Sequence, residues 1–212
     1  MIQDSKFNLL KRTSIHQINL TLEKNPSWKI LDIGCGYRAH KKANIIADQK
    51  DLSAFYPDKK FIKINEKKLP FKDKEFDFVI ASHVIEHVED FQFFISEIER
   101  ISNKGYIELP SKLGDNLVFE NKNDHIWWFE YNDVTNELMI SKRNQIIEPF
   151  LTVATGKLLE EIFRDSLILE LYWEEKIDYK IDDSIKYSKY KKIPFIKLIK
   201  KYFSKRIRML IK

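Results

Sequence analysis

The sequence predicts an α/β fold built on a mostly parallel sheet, and two observations carry this prediction. Short apolar segments alternate with polar or helix-like segments up to about residue 110, as in strands joined by crossovers. Residues Lys29–Gly36 (KILDIGCG) form a short apolar strand that ends in an acid and breaks at once into a two-glycine loop. Beyond residue 110 the pattern changes, and we expect a C-terminal antiparallel portion that includes a hairpin.

The individual elements follow from the periodicity of the apolar residues. Helical spacing predicts an amphipathic helix over 6–24, ahead of the first strand. Short apolar runs predict parallel strands at 29–33, 43–48, 60–64, 76–82 and 105–109. The remaining predictions are a helix over 90–101, a hairpin from 126–131 and 137–141, a helix over 155–163 and a strand over 167–172.

The composition is that of a globular protein from a reducing compartment. Hydrophobic residues make up 43% of the 212, enough for a sizeable core. The single cysteine, Cys35, cannot form an internal disulfide. No apolar run follows a basic start, and no window of about 18 apolar residues exists. We therefore expect neither a signal peptide nor a membrane span, and we predict a cytoplasmic protein.

Charge divides the chain into a body and a tail. Residues 186–212 hold nine Lys, two Arg and no acid, so the net charge of +5 comes from this segment. We predict a domain over 1–185 and a basic tail over 186–212. After Pro194, apolar residues recur every three or four positions, which is typical of a basic amphipathic helix. Such a helix either packs on the domain or contacts an anionic membrane, here the inner membrane surface, through residues 193–212; nucleic acid is the least favoured partner.

The glycine loop suits a nucleoside-bearing ligand, because glycines let a backbone approach a small molecule closely. The segment Gly34–Ala39 also satisfies G-x-G-x-x-A, the dinucleotide fingerprint. That fingerprint places an acid about 20 residues further on. Asp48, the acid that ends the second strand, is only 12 residues past Gly36. The spacing therefore disfavours a nicotinamide cofactor.

Two later segments, Leu69–Val88 and Arg100–Pro110, narrow the choice. Together with Asp32–Gly36 they resemble class I S-adenosylmethionine-dependent methyltransferases, of the type 11 small-molecule kind. The resemblance covers roughly residues 28–112 and implies a Rossmann-like sheet with flanking helices. It also implies S-adenosylmethionine as the cofactor and a small-molecule acceptor.

The resemblance assigns roles position by position. Asp32, Gly34 and Gly36 would line the methionine and ribose part of the cofactor. Asp48 would accept hydrogen bonds from the ribose hydroxyls, since one carboxylate can take both. The remaining cofactor positions would be Asn65, facing the adenine amino group in place of the usual acid, and Ser82, at the end of the fourth strand beside the transferred methyl.

Three polar residues after the fourth strand carry the catalytic prediction. His83, Glu86 and His87 share one face if a helix begins near residue 83. An imidazole titrates near neutral pH and suits a general base, so His83 and His87 are the catalytic candidates. With His125 they could also hold a divalent metal, but no metal is assigned, and a structural role for His87 at a helix start is the simpler alternative. Trp127 and its aromatic neighbours are candidates for an acceptor wall.

These predictions combine into a hypothesis and its alternative. The first is methyl transfer from S-adenosylmethionine to a small acceptor, a hydroxyl of a sugar or lipid-linked metabolite. The alternative is a degenerate methyltransferase fold that binds ligands or a membrane without catalysis. It draws on Asn65 and on the short link from Gly36 to Asp48, which leaves at most a truncated crossover helix.

Overall fold

A computed structural model describes residues 8–64, 68–182 and 191–210 of the chain. Its centre is a seven-stranded sheet in the spatial order β1-β9-β6-β5-β2-β3-β4. The strands of this sheet are β1 (Leu9–Arg12), β2 (Ile30–Ile33), β3 (Ile45–Asp48), β4 (Lys60–Lys63), β5 (Phe78–Ser82), β6 (Lys104–Pro110) and β9 (Ile168–Glu174). A separate three-stranded sheet contains β7 (Trp127–Asn132), β8 (Glu137–Lys142) and β10 (Tyr179–Ile181).

Six helices accompany the sheets in the described part of the chain. They are α1 (Ile15–Lys24), α2 (Phe91–Ile101), α3 (Lys112–Leu117), α4 (Asn121–Asp124), α5 (Val153–Leu167) and α6 (Phe195–Leu210). Apolar residues of α1 pack on one face of the large sheet with Phe78 and Ile80, whereas those of α2 pack on the other face. The predicted α/β architecture with flanking helices is confirmed.

The five parallel strands set the position of a site. In the spatial order β4-β3-β2-β5-β6, each strand pairs in parallel with its neighbour. Strand β9 then pairs antiparallel with β6. From β2 the chain adds β3 and then β4 on one side. It then returns to the other side of β2 and adds β5 and β6 there. Open α/β sheets bind ligands at such a switch point, outside the carboxyl ends of the strands. That place lies directly after Ile33 and Ser82.

The N-terminal helix prediction is wrong in its first half. Leu9–Arg12 forms a strand that pairs antiparallel with β9, and α1 begins only at Ile15. Leu10 points into the core at 2% exposure. The hydroxyl of Ser14 accepts from the Gln17 backbone N–H and caps the helix, which explains why the helix begins there. Residues 6 and 7 lie outside the described residues.

Several other elements are confirmed with adjusted ends. The hairpin forms from β7 and β8, and β10 extends it by a parallel pairing. No helix lies between β2 and β3, a stretch that is fully described, so the short crossover is confirmed. Helix α5 runs longer than predicted and is kinked at Phe163. None of the described helices is both long and apolar enough to cross a bilayer. The division into domains at residue 185 falls outside the described residues and stays a prediction.

Candidate active site

A cleft of about 1070 Å³ opens at the carboxyl ends of β2 and β5. The glycine loop and Asp32 form one wall, and His83 with His87 form another. Residues of α3, α4 and α5 also line the cleft. Of the predicted site residues, this cleft brings together Asp32, Gly34, Gly36, Ser82, His83 and His87.

The two glycines are needed for different reasons. Gly34 has a φ of +68°, and a Cβ there would lie 2.5 Å from Cγ2 of Val84. Gly36 has a φ of +49°, but a Cβ there would meet no atom within 4 Å. Gly34 therefore allows the loop to pack against the chain after β5, whereas Gly36 keeps backbone exposed toward open space.

Asp32 is a buried carboxylate at the wall of the cleft. It is 3% exposed, and its Oδ2 accepts a hydrogen bond from the His40 backbone N–H at 2.6 Å. Burial raises the pKa of Asp32 to about 7, although the His40 hydrogen bond and the charge of Lys59 act in the opposite direction. Because burial makes the charged form of Asp32 unfavourable, the carboxylate favours a cationic or hydrogen-bond-donating ligand beside it.

Asp48 lies behind the glycine loop and does not line the cleft. Its two carboxylate oxygens accept from the backbone N–H groups of Gly36, at 2.9 Å, and Lys50, at 2.8 Å. The hydroxyl of Tyr56 donates to the Gly36 carbonyl and accepts from the Ala39 N–H. The loop is thus braced in place of the missing crossover helix. Asn65 lies outside the described residues.

His83 sits at the end of β5 in the left-handed conformation, with a φ of +55°. Its Nδ1 lies 3.1 Å from Oε1 of Glu86, and its Nε2 lies 3.2 Å from Oε1 of Glu108. Ser82 also donates to Glu108, at 3.0 Å. Burial by itself would lower the pKa of His83, but the hydrogen bonds that its ring donates to Glu108 and Glu86 outweigh burial and raise the pKa to about 10. His83 is therefore an imidazolium at neutral pH.

Glu108 was missed by sequence reasoning and is a centre of the site's charge network. Its carboxylate accepts from Tyr106 at 2.7 Å and pairs with Arg164 at 2.5 Å. Burial would raise the pKa of Glu108, but His83, Tyr106 and Arg164 together lower it to about 2. An acid in an otherwise apolar strand, two residues before a proline, was the available sequence signal.

The condition that a helix begins near residue 83 is not met, because only a 3-10 turn forms, over Ile85–His87. His83 and His87 therefore do not lie one turn apart on a helix, although both line the cleft. His87 lies against His125, with ring centroids 4.6 Å apart and planes at 88°. Its Nδ1 lies 3.0 Å from the Asp124 carbonyl oxygen. A carbonyl oxygen can only accept, so Nδ1 of His87 carries the hydrogen.

Asp115 in α3 holds His125 in place and was also missed. Its Oδ1 lies 2.5 Å from Nδ1 of His125, and its Oδ2 accepts from Trp128 and Arg143 at 2.6 Å each. Asp115 is 1% exposed. One buried carboxylate thus joins α3 to the segment before β7, to β7 itself and to the residue that follows β8.

The aromatic candidates for an acceptor wall, Trp127, Trp128, Phe129 and Tyr131, do not line the described cleft. Trp128, Phe129 and Tyr131 are buried in the core. The indole of Trp127 donates to the Val88 carbonyl at 2.9 Å, and its ring packs edge-on against Phe91. These rings hold the hairpin against α2 and the large sheet.

Comparison with known proteins fits this geometry. Residues 40–107 match the family model described as "Methyltransferase domain". An uncharacterised protein of Methanocaldococcus jannaschii is 33% identical over 130 residues, which are 53% of this chain and 55% of that protein. A ubiquinone biosynthesis O-methyltransferase of Rickettsia bellii is 32% identical over 126 residues, 49% of this chain and 52% of the relative. The chain thus spans about half the length of the curated relatives it matches.

Among solved structures, an S-adenosylmethionine-dependent methyltransferase from Mesorhizobium loti aligns with 75% of this chain and 96% of its own. The identity is 12% and the TM-score is 0.43. The matches to residues 40–107 and to the Rickettsia relative support a class I S-adenosylmethionine-dependent methyltransferase domain in this chain, and they imply S-adenosylmethionine as its cofactor.

The residues present fit this cofactor. The space over Gly36 is open and the buried Asp32 carboxylate faces the same cleft, so a sulfonium-bearing nucleoside would meet exposed backbone and negative charge. Arg38 lines the cleft beside the glycine loop, whereas the His40 ring turns away to Asn19.

Proposed function

We propose that this chain transfers a methyl group from S-adenosylmethionine to a hydroxyl of a small acceptor, a sugar or a lipid-linked metabolite. The observation that carries the proposal is the cleft at the switch point, where Asp32 and the open backbone at Gly36 face the histidines that follow β5. The Rickettsia relative is named as an O-methyltransferase, which supports oxygen as the methylated atom.

S-adenosylmethionine, when bound, supplies a methyl group already activated on a sulfonium. The chain's part is then to bind and orient, since positioning can supply much of the barrier reduction. Asp32, Gly34 and Gly36 would hold the cofactor on one wall of the cleft. Asp48 would hold the glycine loop in the position in which the loop contacts the ribose. Asn65 would contact the adenine.

The acceptor would occupy the part of the cleft next to Ser82 and the histidines. His83, as an imidazolium, donates its two ring N–H groups to the Glu86 and Glu108 carboxylates, so it lies beside the acceptor but cannot remove the acceptor's proton. His87 keeps Nε2 free while Nδ1 donates to the Asp124 carbonyl. His87 is therefore the group placed to receive the hydroxyl proton.

Calorimetry with S-adenosylhomocysteine tests the cofactor half of the proposal. We expect binding to the wild type, a loss of at least tenfold in affinity for Asp32→Asn, and no change for Asp58→Asn, which alters an exposed acid outside the cleft. A matched titration with NAD should show no binding. Equal affinity of Asp32→Asn and wild type would refute the assignment of the site.

A second candidate is binding without catalysis, and the missing crossover helix between β2 and β3 favours it. Turnover assays with labelled S-adenosylmethionine over a panel of hydroxyl acceptors separate the two. Methyl transfer to any acceptor supports the enzyme. Cofactor binding without turnover across the panel supports the degenerate fold.

We also propose that helix α6 contacts an anionic membrane surface. None of its residues is buried, so it does not pack into the domain core. The beginning of α6 is attached to the rest of the chain. The rings of Phe195 and Phe150 stack with their centroids 5.6 Å apart, and Lys192, just before the helix, pairs with Glu148. Exposed apolar side chains alternate along it with basic ones, as in helices that lie in a membrane interface.

Co-sedimentation with vesicles tests this contact in the full chain. We expect binding to anionic vesicles that weakens as salt is added, and little binding to zwitterionic ones. The triple variant Ile196→Ser, Phe203→Ser, Ile207→Ser should lose this binding, whereas Val134→Ser, at an even more exposed apolar residue of the hairpin loop, should keep it. Vesicle binding that is unaffected by the triple change would rule out α6 as the contact.

A further inference from the structure

Beside the cleft, three side chains converge in a way that methyl transfer alone does not explain. One ligand atom each from Glu86, His87 and His125 lies within 4.8 Å of the other two. The three come from the 3-10 turn after β5 and from the segment between α4 and β7. His87 and His125 both line the cleft.

Glu86 is the most telling member of this cluster. Its side chain is completely buried, and Oε1 is 3.1 Å from the His83 ring. The other oxygen, Oε2, has no hydrogen-bond partner among the described residues. An unpaired carboxylate oxygen in the interior is costly, and buried carboxylates are usually paired or bound to a metal.

The two imidazoles are held in the tautomer that a metal requires. Nδ1 of His87 donates to the Asp124 carbonyl, and Nδ1 of His125 faces the Asp115 carboxylate at 2.5 Å. Both contacts leave the lone pair of Nε2 available. Metal-binding histidines are commonly oriented in this way, with the second ring nitrogen bonded to a carboxylate or a backbone carbonyl.

We propose that Glu86, His87 and His125 bind one divalent transition-metal ion. Two imidazoles and one carboxylate suit Zn²⁺, Mn²⁺, Fe²⁺ or Co²⁺ better than Ca²⁺ or Mg²⁺, which prefer oxygen ligands. Three protein ligands leave at least one coordination position for water or substrate. Because both histidines line the cleft, that position is reached from it.

Two neighbouring residues, His83 and Asp115, would orient the ligands of this site. His83 fixes one oxygen of Glu86 and so leaves the other for the ion, and Asp115 fixes the His125 ring. An acceptor hydroxyl that reached the open position would have its pKa lowered by the ion. In that case His87 would act as a ligand of the ion and not as a base toward the acceptor. This last role rests on the proposed function, whereas binding of the ion does not.

Titration of chelator-treated full-length protein tests the site with Zn²⁺, Co²⁺ and Mn²⁺ as probes. Calorimetry should give one ion per chain for at least one of these metals. His87→Gln, at an exposed residue, and Glu86→Gln should each weaken binding by about tenfold or more, and Asp115→Asn by about 10–100-fold, in line with changes to residues that orient ligands. The Co²⁺ complex should show visible absorption bands that are missing in both ligand variants.

His16→Gln is the matched control, since it removes an exposed imidazole of α1 far from the cluster in sequence. It should bind metal as the wild type does. Absence of stoichiometric binding for all three metals, or equal binding by His87→Gln and wild type, would overturn the proposal. S-adenosylhomocysteine binding to the metal-free chain is measured in parallel, so failure of the metal site is distinguishable from failure of the cofactor site.

Discussion

His83 combines a rare backbone conformation with two carboxylate partners on different elements. A φ of +55° is uncommon outside glycine and costs on the order of 1 kcal/mol or more. It is held by the His83 N–H, which donates to the Glu108 carbonyl at 2.9 Å, and by the contacts of its ring. The strain therefore places a cationic ring at the mouth of the cleft.

We predict that His83 stays protonated well above neutral pH. Its pKa is raised to about 10, so the stabilisation that it gives is complete below pH 6.5 and is lost as the pH rises through 10. Glu108→Gln should move the pKa of His83 back toward 6.5, because one of the two carboxylates is neutralised. A histidine NMR titration measures this shift. Glu23→Gln, at an exposed acid of α1, should leave it unchanged, and an equal shift in both variants would contradict the assignment.

At the residue scale, sequence reasoning found one wall of the site and missed much of the other. Asp32, Gly36 and Ser82 were predictable because they lie within a few residues of two recognisable strand ends. Glu108 and Asp115 were not, because their roles depend on partners that only the fold brings near. His125 was noticed as a possible metal ligand, but no local spacing indicated that it would face His87 and not His83.

At the scale of elements, the glycine loop replaces a helix with a network of hydrogen bonds. The loop is closed by the Gly34 N–H donating to the Ala47 carbonyl at 2.7 Å and by the Gly36 N–H donating to Asp48. Tyr56 adds a second brace from the far side. Ordinary turns and side-chain contacts thus shape a loop that a crossover helix would otherwise support.

The two glycines of this loop should respond differently to alanine. Gly34→Ala adds backbone strain and a clash with Val84, so it should lower the free energy of unfolding by about 1–3 kcal/mol more than Gly36→Ala does. Urea denaturation measures this difference. Gly36→Ala should instead weaken S-adenosylhomocysteine binding, since its methyl enters the open space. Equal destabilisation by the two changes would show that Val84 moves aside.

Element predictions succeeded where apolar periodicity was unambiguous and failed where contacts between distant segments decide. The buried strands around β2 and β5 were predicted to within a few residues. Leu9–Arg12 was predicted as helix because its residues fit either pattern, and only pairing with β9 makes it a strand. The 3-10 turn at Ile85–His87 likewise ends early because Ile126 donates to the Glu86 carbonyl and draws the chain toward β7.

For the whole molecule, burial of Asp32 should make stability fall with increasing pH. The folded state binds a proton at Asp32 below pH 7, whereas the unfolded chain releases it near 3.8. Stability should therefore decrease between about pH 4 and pH 7, by at most about 4 kcal/mol from this group. Above pH 7 the buried charge opposes folding until a cationic ligand offsets it.

Asp32→Asn should remove this dependence. We expect the variant to be more stable than the wild type at pH 8 and equally stable near pH 4, because asparagine can keep the hydrogen bond from His40 without the charge. Chemical denaturation at a series of pH values measures the difference. A variant that is less stable than wild type at pH 8 would mean that the Asp32 carboxylate is stabilised in the fold.

The first described strand also determines how this sheet can be completed during folding. Leu10 lies opposite Trp173 in β9, and β9 itself separates β1 from β6. A chain emerging from the ribosome can pair β2 through β6 early, but β1 finds no partner until residues near 174 are available. Contacts this far apart in sequence slow folding. Until then, the apolar side chain of Leu10 and the outer edge of β6 stay uncovered, and a chaperone that holds extended apolar segments would act there.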